Sequence, residues 1–358
     1  MRGAVEMHAH AMIFTAPGSP LEFRELPLPV LNDGEAIVRV DCTTLCGSDL
    51  HSFHGRRKVP VPTILGHEIL GTIESLNGEV KAFDGTPLHI GDRVTWGVAV
   101  SCGGCFYCHH RLPQKCDSLR KYGHEKLDAL IGGLSTHCHL LAGTAIFRLP
   151  NSLSDIVACP ASCATATVAA VLRAAGNVTG ETVLIFGAGM LGLTAAAMAR
   201  TADAVIVCDI DESRLETARR FGATHTATPD QLGSVVGEVT HGRGVGVALE
   251  LSGSAMAMTA GLELLRIGGA FIWAGAVSPT PTIAIAPETI VRKLIRIEGV
   301  HNYRPDDLGV ALAFLDQHAS KYPFAELVPR SFELRAANDA FRYATDERPV
   351  RVAVIPKK

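Results

Sequence analysis

Four closely spaced cysteines form the most distinctive chemical feature of the sequence. They follow the spacing C-x2-C-x2-C-x7-C and are Cys102, Cys105, Cys108 and Cys116. Zinc prefers a tetrahedron of thiolates at about 2.3 Å, and turns with two intervening residues bring pairs of sulfur atoms to one point. Four protein ligands leave no coordination position open, so this array predicts a structural zinc ion. An iron–sulfur cluster has similar ligand needs and is the alternative interpretation.

A second set of metal-ligand residue types lies earlier in the chain. Cys46 stands in the segment CGSDLH, and His67 and Glu68 stand in the segment GHEILG. A thiolate and an imidazole are two of the three protein ligands of a zinc site that keeps an open, catalytic position. Each motif is weak alone, because a lone cysteine or histidine is more often a core thiol or a surface imidazole. Together with the four-cysteine array and a nucleotide motif, they predict a catalytic metal site.

That nucleotide motif is GAGMLG at residues 187–192, which has the pattern G-x-G-x-x-G. It follows an apolar run and opens a helical stretch, the context in which this pattern binds a dinucleotide. Gly187 permits the tight turn, Gly189 lets the backbone approach a pyrophosphate, and Gly192 lets the helix pack against the strand. Asp209 ends the next apolar run, 22 residues after Gly187. Its carboxylate suits ribose hydroxyls and repels a 2′-phosphate, which favours NAD over NADP.

The elements that must position these residues are of two kinds. Residues 1–150 are rich in Gly, Pro, His and Cys, and their short β-like runs, such as 35–40, are broken by turn residues. From about Gly180, apolar runs alternate with helical stretches at 193–200 and 212–221, the βαβα pattern of a parallel, doubly wound sheet. These apolar runs are Thr182–Phe186, Ala204–Cys208, 246–251, 270–275 and 294–300.

Composition narrows the classes of protein that remain. The 358 residues are 47% hydrophobic and 19% charged, with a formal net charge of −3, so apolar material suffices for buried cores. This balance gives no reason to expect nucleic acid or an anionic membrane as a partner. The N-terminal residues lack the sustained apolar region of a signal peptide, and the ten cysteines suit metal binding better than disulfides. We therefore expect a cytoplasmic protein.

With these motifs together, the chain resembles the medium-chain, zinc-dependent alcohol dehydrogenase superfamily over essentially its full length. The segment from Gly66 to Gly71 matches the zinc signature of that family, G-H-E-x2-G. The resemblance implies an α/β protein with a GroES-like, β-rich catalytic domain at 1–164 and 300–358. It implies a Rossmann NAD-binding domain with a doubly wound parallel sheet at 165–299. It also implies assembly into a homodimer or homotetramer.

The resemblance assigns roles around the second metal set. It makes Cys46 and His67 ligands of a catalytic zinc. Asp49 then orients the His67 ring by accepting a hydrogen bond from the ring nitrogen that does not bind the metal. Ser48 and His51 resemble the proton relay of the family, in which a hydroxyl near the alcohol hands the proton to an imidazole near the surface. A surface histidine is the alternative for His51.

Three further assignments depend on the same resemblance. Glu68 is a nearby carboxylate that approaches the metal when its ligands exchange. The third protein ligand is Cys163 by comparison with alcohol dehydrogenases, but Cys159 stands where relatives similar to polyol dehydrogenases carry a ligand carboxylate. Arg214 resembles a second contact to the ribose, and a solvated helix charge is the alternative.

The function implied is the reversible oxidation of an alcohol to an aldehyde or ketone, with two zinc ions per chain and hydride transfer to NAD. A polyol or amino-alcohol dehydrogenase of the sorbitol or threonine type is the alternative. A non-catalytic zinc and nucleotide sensor would not need Ser48 and His51. A zinc-free quinone or enoyl reductase would lack Cys46 and His67.

Arg57 raises the question of the substrate. The spacing from Cys46 to His67 equals that of typical alcohol dehydrogenases, in which the position of Arg57 lines the substrate pocket with an apolar side chain. An arginine there predicts an anionic alcohol or aldehyde, since a poorly solvated charge needs a partner. The chain also resembles a subgroup associated with phosphonate catabolism. The alternative is that Arg56, Arg57 and Lys58 form a solvated loop.

Overall fold

The computed structural model describes residues 8–127 and 129–356, so the first seven residues of the predicted catalytic domain lie outside the described part. Internal contacts divide the chain into two compact units. The first unit comprises Met1–Cys163, Arg304–Ala319 and Phe324–Lys358, and the second comprises Ala164–Tyr303 and Ser320–Pro323. The second unit thus begins one residue before the predicted 165 and continues past 299 to Tyr303.

The strands and helices are numbered separately in chain order. The strands are β1 His8–Phe14, β2 Glu22–Pro27, β3 Ala36–Thr44, β4 Thr63–Ile64, β5 Glu68–Leu76, β6 Arg93–Trp96, β7 Ala99–Val100, β8 Arg120–Lys121, β9 His137–Leu140, β10 Ile146–Arg148, β11 Thr182–Phe186, β12 Ala204–Cys208, β13 His225–Ala227, β14 Val245–Glu250, β15 Leu265–Trp273, β16 Arg296–Gly299, β17 Ser331–Glu333 and β18 Ala353–Ile355. The α-helices are α1 Gly47–Phe53, α2 Phe106–His109, α3 Asp155–Ala158, α4 Ala164–Ala175, α5 Met190–Met198, α6 Glu212–Arg220, α7 Leu232–Val239, α8 Ala255–Leu264, α9 Pro287–Lys293, α10 Pro305–His318 and α11 Ala337–Asp346. Short 3-10 helices lie at Pro113–Lys115, Cys159–Ser162, Ala319–Lys321, Phe324–Leu327 and Leu334–Ala336.

The first unit is built on mainly antiparallel sheets. The larger sheet has the strand order β10-β6-β5-β3-β18-β17, with β9 also paired to β3, and a smaller sheet has the order β2-β1-β4. Two irregularities of register interrupt the long β3–β5 pair, and such bulges bend a sheet and increase its twist. The sheets bury two apolar clusters, one containing Phe14 and Phe341 and the other containing Trp96. This confirms the β-rich domain.

The second unit contains one parallel sheet with the strand order β13-β12-β11-β14-β15-β16. Counted within the sheet, this is the order 3-2-1-4-5-6 of a doubly wound dinucleotide-binding fold. Its central strands, such as Thr182–Phe186 and Ala204–Cys208, are almost continuously buried, as expected for a parallel sheet covered on both faces. The predicted α/β domain is confirmed. The strand order reverses between β11 and β14, the point at which such sheets bind ligands.

Within the described residues, no single helix is both long enough and apolar enough to cross a membrane. One bent pair of helices, Asp155–Ser162 with Ala164–Ala175, is long and apolar enough for a membrane span when the two are counted together, by length and composition alone.

Candidate metal and nucleotide sites

The sulfur atoms of the four-cysteine array meet at one place in the first unit. The Sγ atoms of Cys102, Cys105, Cys108 and Cys116 all lie within 4.8 Å of one another. The Sγ–Sγ distance is 3.5 Å between Cys105 and Cys108 and 3.4 Å between Cys102 and Cys116. Sulfur ligands about 2.3 Å from a tetrahedral zinc lie about 3.8 Å apart, so the donor set fits this ion.

Three donor atoms of the second metal set also converge. The Sγ of Cys46, a ring nitrogen of His67 and the Sγ of Cys163 lie within 4.8 Å of one another. The pairing of β3 with β5 prepares this arrangement, because Thr44 at the end of β3 faces Glu68 at the start of β5. Cys46 follows β3 by two residues and His67 directly precedes β5, so both emerge at the same end of the strand pair. Two sulfurs and one imidazole fit a zinc ion and leave one position open.

The two thiols of this second site differ in how readily they ionise. A hydrogen bond between them lowers the pKa of Cys46 well below that of a free thiol and raises the pKa of Cys163. The Arg351 guanidinium also favours the Cys46 thiolate, and its Nη2 lies 3.6 Å from the sulfur. Cys46 is therefore the thiol that ionises more readily, and Cys163 must also release its proton to become a ligand.

Cys159, the alternative third ligand, lies in a different environment. Its side chain is fully buried, and its thiol donates to the backbone carbonyl oxygens of Cys42 at 3.5 Å and Glu68 at 3.3 Å. Burial raises the pKa of Cys159 well above its usual value, so a neutral thiol is favoured there. Of the two candidates, the structure brings Cys163 to Cys46 and His67.

Asp49 connects the two ligand segments through a single carboxylate. Its Oδ2 accepts the backbone N–H of Cys46 at 2.9 Å and so caps the start of α1. Its Oδ1 lies 3.1 Å from His67 Nδ1 and accepts the backbone N–H of Gly66 at 3.2 Å. Although burial opposes protonation, the Asp49 charge raises the pKa of His67 well above its usual value. The contact makes Nδ1 a donor and leaves Nε2 as the nitrogen for a metal.

Ser48 and His51 lie one helical turn apart on α1. The Ser48 hydroxyl oxygen is 3.3 Å from His67 Nε2, so it stands beside the metal donor atoms. The Nδ1 of His51 is buried and has no hydrogen-bond partner among the described residues. Burial and the charge of Arg56 lower the pKa of His51. The helix therefore places a hydroxyl at the site and a mostly neutral imidazole one turn away.

Arg351 is a site residue that sequence analysis missed. Its Nε and Nη2 donate to the Glu68 carboxylate at distances from 2.9 to 3.2 Å. The Thr44 hydroxyl donates to the same carboxylate at 2.5 Å. Burial raises the pKa of Glu68 to about 7, against the opposite effect of Arg351. The available sequence signal was one charged residue within an apolar run, VRVAVI at residues 350–355.

His124 is a second residue that was missed. Gly123 packs closely against Gly66, the first residue of the GHEILG motif. A Cβ on Gly123 would lie 2.5 Å from the Gly66 carbonyl oxygen. This packing sets the His124 ring edge-on to the His67 ring, with 4.8 Å between centroids. Burial and the charges of His67 and Arg57 lower the pKa of His124 well below its usual value. The tripeptide GHE, which recurs at residues 123–125, was the sequence signal.

Arg57 follows α1, is half-buried, and donates its backbone N–H to the His51 carbonyl oxygen at 3.0 Å. After burial, its positive charge is the largest influence that lowers the pKa of Lys121. It acts in the same direction on His51 and His124. Arg57 is therefore more buried than its neighbours Arg56 and Lys58, which are exposed.

In the second unit, the glycine motif forms the turn between β11 and α5. Gly187 has φ +97°, and Gly192 packs so tightly that a Cβ there would lie 1.7 Å from the Gly187 carbonyl oxygen. A Cβ on Gly189 would meet no atom within 4 Å, so the backbone before Met190, the first residue of α5, is open to a ligand. This is the local geometry of a pyrophosphate site at a helix N-terminus.

Asp209 directly follows β12 and supports this turn. Its carboxylate accepts the backbone N–H of Ala188 at 2.6 Å and that of Asp211 at 3.0 Å. It is half-buried, so part of the carboxylate remains accessible beside the glycine motif. The Nε of Arg214 lies 3.6 Å from the Asp211 carboxylate within the first turn of α6.

Comparison with known proteins identifies the family of the chain. The family model described as alcohol dehydrogenase GroES-like domain matches residues 32–151, and that described as zinc-binding dehydrogenase matches residues 188–317. The chain is 30% identical to the L-threonine 3-dehydrogenase of Aeromonas hydrophila subsp. hydrophila over 294 residues, which cover 77% of this chain and 79% of that protein. It is 30% identical to the 5-exo-hydroxycamphor dehydrogenase of Pseudomonas putida, over 89% of this chain and 91% of that protein.

Among solved structures, an alcohol dehydrogenase from Thermotoga maritima is similar, with a TM-score of 0.93 and 28% identity over 98% of this chain and 100% of that one. A zinc-binding dehydrogenase from Sinorhizobium meliloti, solved with NADP, has a TM-score of 0.86 and 24% identity over 98% and 100% of the two chains. With its two domains and its metal and nucleotide donor groups, the chain belongs to the medium-chain, zinc-dependent alcohol dehydrogenase family and oxidises an alcohol with zinc and a nicotinamide nucleotide as cofactors.

Proposed function

We propose that Cys46, His67 and Cys163 hold the catalytic zinc and that the four-cysteine array holds a second, structural zinc. The convergence of two sulfurs and one ring nitrogen within 4.8 Å carries this proposal. When bound, zinc supplies a Lewis acid that lowers the pKa of the substrate alcohol. Glu68 pairs with Arg351 beside this donor set and would supply a carboxylate near a bound metal during ligand exchange.

The alcohol proton leaves through Ser48 and His51. The Ser48 hydroxyl is 3.3 Å from the metal-binding nitrogen of His67, close enough to accept a hydrogen bond from a substrate at the open position. The lowered pKa of His51 keeps its imidazole neutral, and its Nδ1 has no partner among the described residues that would compete for the proton. The imidazole is only half-buried, so it can pass the proton to water.

NAD is the proposed cofactor, and its nicotinamide ring supplies the hydride acceptor. Gly187, Gly189 and Gly192 shape the turn that receives the pyrophosphate. Asp209 accepts hydrogen bonds from the adenosine ribose hydroxyls, and its negative charge disfavours the 2′-phosphate of NADP. Arg214 contributes to the ribose site once it leaves Asp211, with which it pairs at 3.6 Å.

The test of this assignment separates chemistry from nucleotide binding. Cys46→Ala and His67→Ala should abolish alcohol oxidation, whereas the dissociation constant for NAD should stay within about twofold of wild type. The reason is that the ligands belong to the first unit and the glycine motif belongs to the second. Turnover that survives in either variant would contradict the zinc mechanism.

The substrate is proposed to be an anionic alcohol, or the aldehyde formed from it, such as a phosphonate. Arg57 supports this proposal because it is half-buried and shows no carboxylate within ion-pairing distance among the described residues. A guanidinium binds a carboxylate or phosphonate with two parallel hydrogen bonds, which a neutral alcohol cannot offer. Steady-state rates on matched anionic and neutral alcohols test it. Arg57→Leu should raise KM for the anionic members much more than for neutral ones, and the exposed neighbour variant Arg56→Leu is the control.

A threonine-type or polyol dehydrogenase is the second candidate. Relatives named L-threonine 3-dehydrogenase favour this candidate. The carboxylate of L-threonine is also an anion that a guanidinium such as that of Arg57 can bind. Steady-state rates on the same alcohols, with L-threonine and sorbitol added, distinguish the two candidates. A threonine-type or polyol dehydrogenase requires higher kcat/KM for L-threonine or sorbitol than for simple anionic alcohols.

We also propose a homodimer or homotetramer. β16 is the edge strand of the parallel sheet, and unpaired strand edges readily pair with another chain. Nearby large apolar side chains, Ile285, Val291 and Leu294, are exposed in the single chain. Light scattering should therefore give a mass two or four times 37.9 kDa, and Val291→Asp with Leu294→Asp should shift that mass towards the mass of one chain.

A cytoplasmic location is proposed as well. All ten cysteines are free thiols, and the four-cysteine array binds zinc only while its sulfurs stay reduced. Cell fractionation with a periplasmic marker enzyme as the reference should recover the protein with the cytoplasmic fraction.

A further inference from the structure

A buried carboxylate lies at the carboxyl edge of the parallel sheet in the second unit. Glu250 is the last residue of β14 and is fully buried, although the residues before it in the strand are apolar or glycine. Burial of a carboxylate is costly unless hydrogen bonds hold it. Parallel sheets bind their ligands outside this edge, where the strand order reverses between β11 and β14. Glu250 therefore lies where a side chain can shape the nucleotide site.

One oxygen of this carboxylate receives three hydrogen bonds from the turn that follows β14. Its Oε1 accepts the backbone N–H of Ser252 at 2.8 Å, the Ser252 hydroxyl at 2.7 Å and the backbone N–H of Gly253 at 2.6 Å. The Ser252 hydroxyl oxygen accepts the backbone N–H of Ser254 at 3.2 Å, and Ser254 caps the start of α8. Ser252 is exposed, so the carboxylate holds a surface turn from beneath. Hydrogen bonds to a charged acceptor are stronger than those between neutral groups.

Two further turns pack against this one. A Cβ on Gly187, in the glycine motif after β11, would lie 3.1 Å from the Ser252 side chain. A Cβ on Gly275, after β15, would lie 2.3 Å from the Gly253 nitrogen and 2.8 Å from Glu250 Oε2. The Glu250 carbonyl oxygen also accepts the backbone N–H of Gly275 at 3.0 Å. Through these contacts Glu250 connects the turns that follow three neighbouring strands, β11, β14 and β15.

The turns after β14 and β15 lie on the side of the glycine motif that faces away from Asp209. Asp209, proposed above to bind the adenosine ribose, follows β12, and β12 pairs with β11 on the side opposite to β14. A dinucleotide crosses the edge of such a sheet at the switch point, with one nucleotide on each half of the sheet. Since the adenosine half is expected towards β12, the nicotinamide half is expected towards β14 and β15.

We propose that Glu250 is a positioning residue for the nicotinamide half of the cofactor. It holds the turns after β14 and β15 in the shape that this half requires. It acts through its hydrogen bonds and not through contact with the cofactor, because its side chain is fully buried. The inference rests on the proposed function, which places a nicotinamide dinucleotide at this sheet.

Binding of whole and partial nucleotides tests this role without turnover. Calorimetric titration should give a dissociation constant for NADH that rises about tenfold or more in Glu250→Ala, because three hydrogen bonds to the turn are lost. The constant for AMP, which lacks the nicotinamide half, should stay within about twofold of wild type. A smaller loss of NADH affinity is expected in Glu250→Gln, whose amide oxygen can still accept these hydrogen bonds.

Two further variants complete the experiment. Glu181→Ala is the matched control, because Glu181 lies at the opposite edge of the same sheet, where it pairs with Arg266 at 2.6 Å, and both constants should stay within about twofold of wild type. Ser252→Ala removes one donor from an exposed position, so it should fold and raise the NADH constant by about threefold. In the double variant Glu250→Gln with Ser252→Ala, the combined loss should be less than the sum, because both changes act on one hydrogen bond.

The inference and the proposed function fail in different ways. Unchanged NADH binding in both Glu250 variants, or an equal loss of AMP and NADH affinity, would overturn the role of Glu250 and leave the proposed function in place. If Glu250→Ala does not fold, Glu250→Gln and Ser252→Ala decide by the same comparison. Wild-type protein that binds NADPH but not NADH would overturn the proposed choice of cofactor, and titrations with NADPH would then judge Glu250.

Discussion

Arg351 and Glu68, 283 residues apart in the chain, form a buried ion pair directly behind the Cys46 sulfur. The guanidinium contacts both carboxylate oxygens, and its Nη2 also lies 3.6 Å from the Cys46 Sγ. One cation therefore compensates a carboxylate and a thiolate at once. Because Arg351 and Glu68 are buried, the loss of the cation should leave the Glu68 carboxylate without a partner next to the Cys46 sulfur.

Arg351→Met should destabilise the first unit by up to about 3–5 kcal/mol, because Glu68, whose pKa burial already raises to about 7, then either stays ionised without a partner or takes up a proton. Urea unfolding measured with the matched wild-type protein checks the size of the effect. The double variant Arg351→Met with Glu68→Gln should recover part of the loss, since the uncompensated charge is removed. A single variant as stable as wild type would show that the ion pair contributes nothing to the fold.

Zinc analysis provides the second prediction. Protein purified without chelator should contain about two zinc ions per chain, one in the four-cysteine array and one at Cys46, His67 and Cys163. Cys105→Ser should lose one ion and much of the stability, because a structural zinc contributes folding free energy directly. A ratio near one zinc ion per chain in the wild-type protein would show that one of the two proposed sites does not bind zinc.

The third ligand can be decided by a matched pair of cysteine variants. Cys163→Ala should lose the catalytic zinc and reduce turnover to background, because it removes one of three protein ligands. Cys159→Ala should keep two zinc ions and most of the activity, since that sulfur bonds to backbone carbonyl groups instead. The opposite order of the two variants would show that Cys159 is the ligand.

Cofactor choice should depend on the charge of Asp209. Asp209→Gly should weaken NAD binding by roughly 1.5–3 kcal/mol, or one to two decades in affinity, and improve NADP binding. Asp209→Asn removes the charge but keeps an oxygen to accept the Ala188 N–H, so its loss of NAD affinity should be smaller. Dissociation constants for both nucleotides check this. A wild-type enzyme that prefers NADP would refute the assignment of Asp209.

The pH profile should report His51. The relay needs a neutral imidazole, and the lowered pKa of His51 keeps it neutral at lower pH, so the acid limb of kcat/KM should lie below about pH 6.5. Arg56→Leu removes a positive charge that opposes protonation, so the pKa should rise and the limb should move to higher pH. Lys58→Met is the control and should leave the profile in place. The shift should shrink in high salt because Arg56 is exposed. If the acid limb of the kcat/KM profile stays in place in Arg56→Leu, the protonation of His51 does not control the rate.

The features that could be predicted from the sequence are those built from residues near one another in the chain. The four-cysteine array and the motif at 187–192 each lie within one or two turns, where covalent geometry limits how far apart the functional atoms can be. The strands Thr182–Phe186 and Ala204–Cys208 were predicted with the bounds that the structure shows, because a buried parallel strand is a continuous apolar run.

The tertiary structure decided the contacts between distant segments. Local backbone preferences say nothing about whether Cys163 or Cys159 reaches Cys46, because that depends on how the 3-10 helix Cys159–Ser162 packs behind β3 and β5. Arg351 and His124 stayed hidden for the same reason. Their contacts with Glu68 and His67 arise from sheet pairing and close glycine packing, so the distances are set by the folded core and not by spacing along the chain.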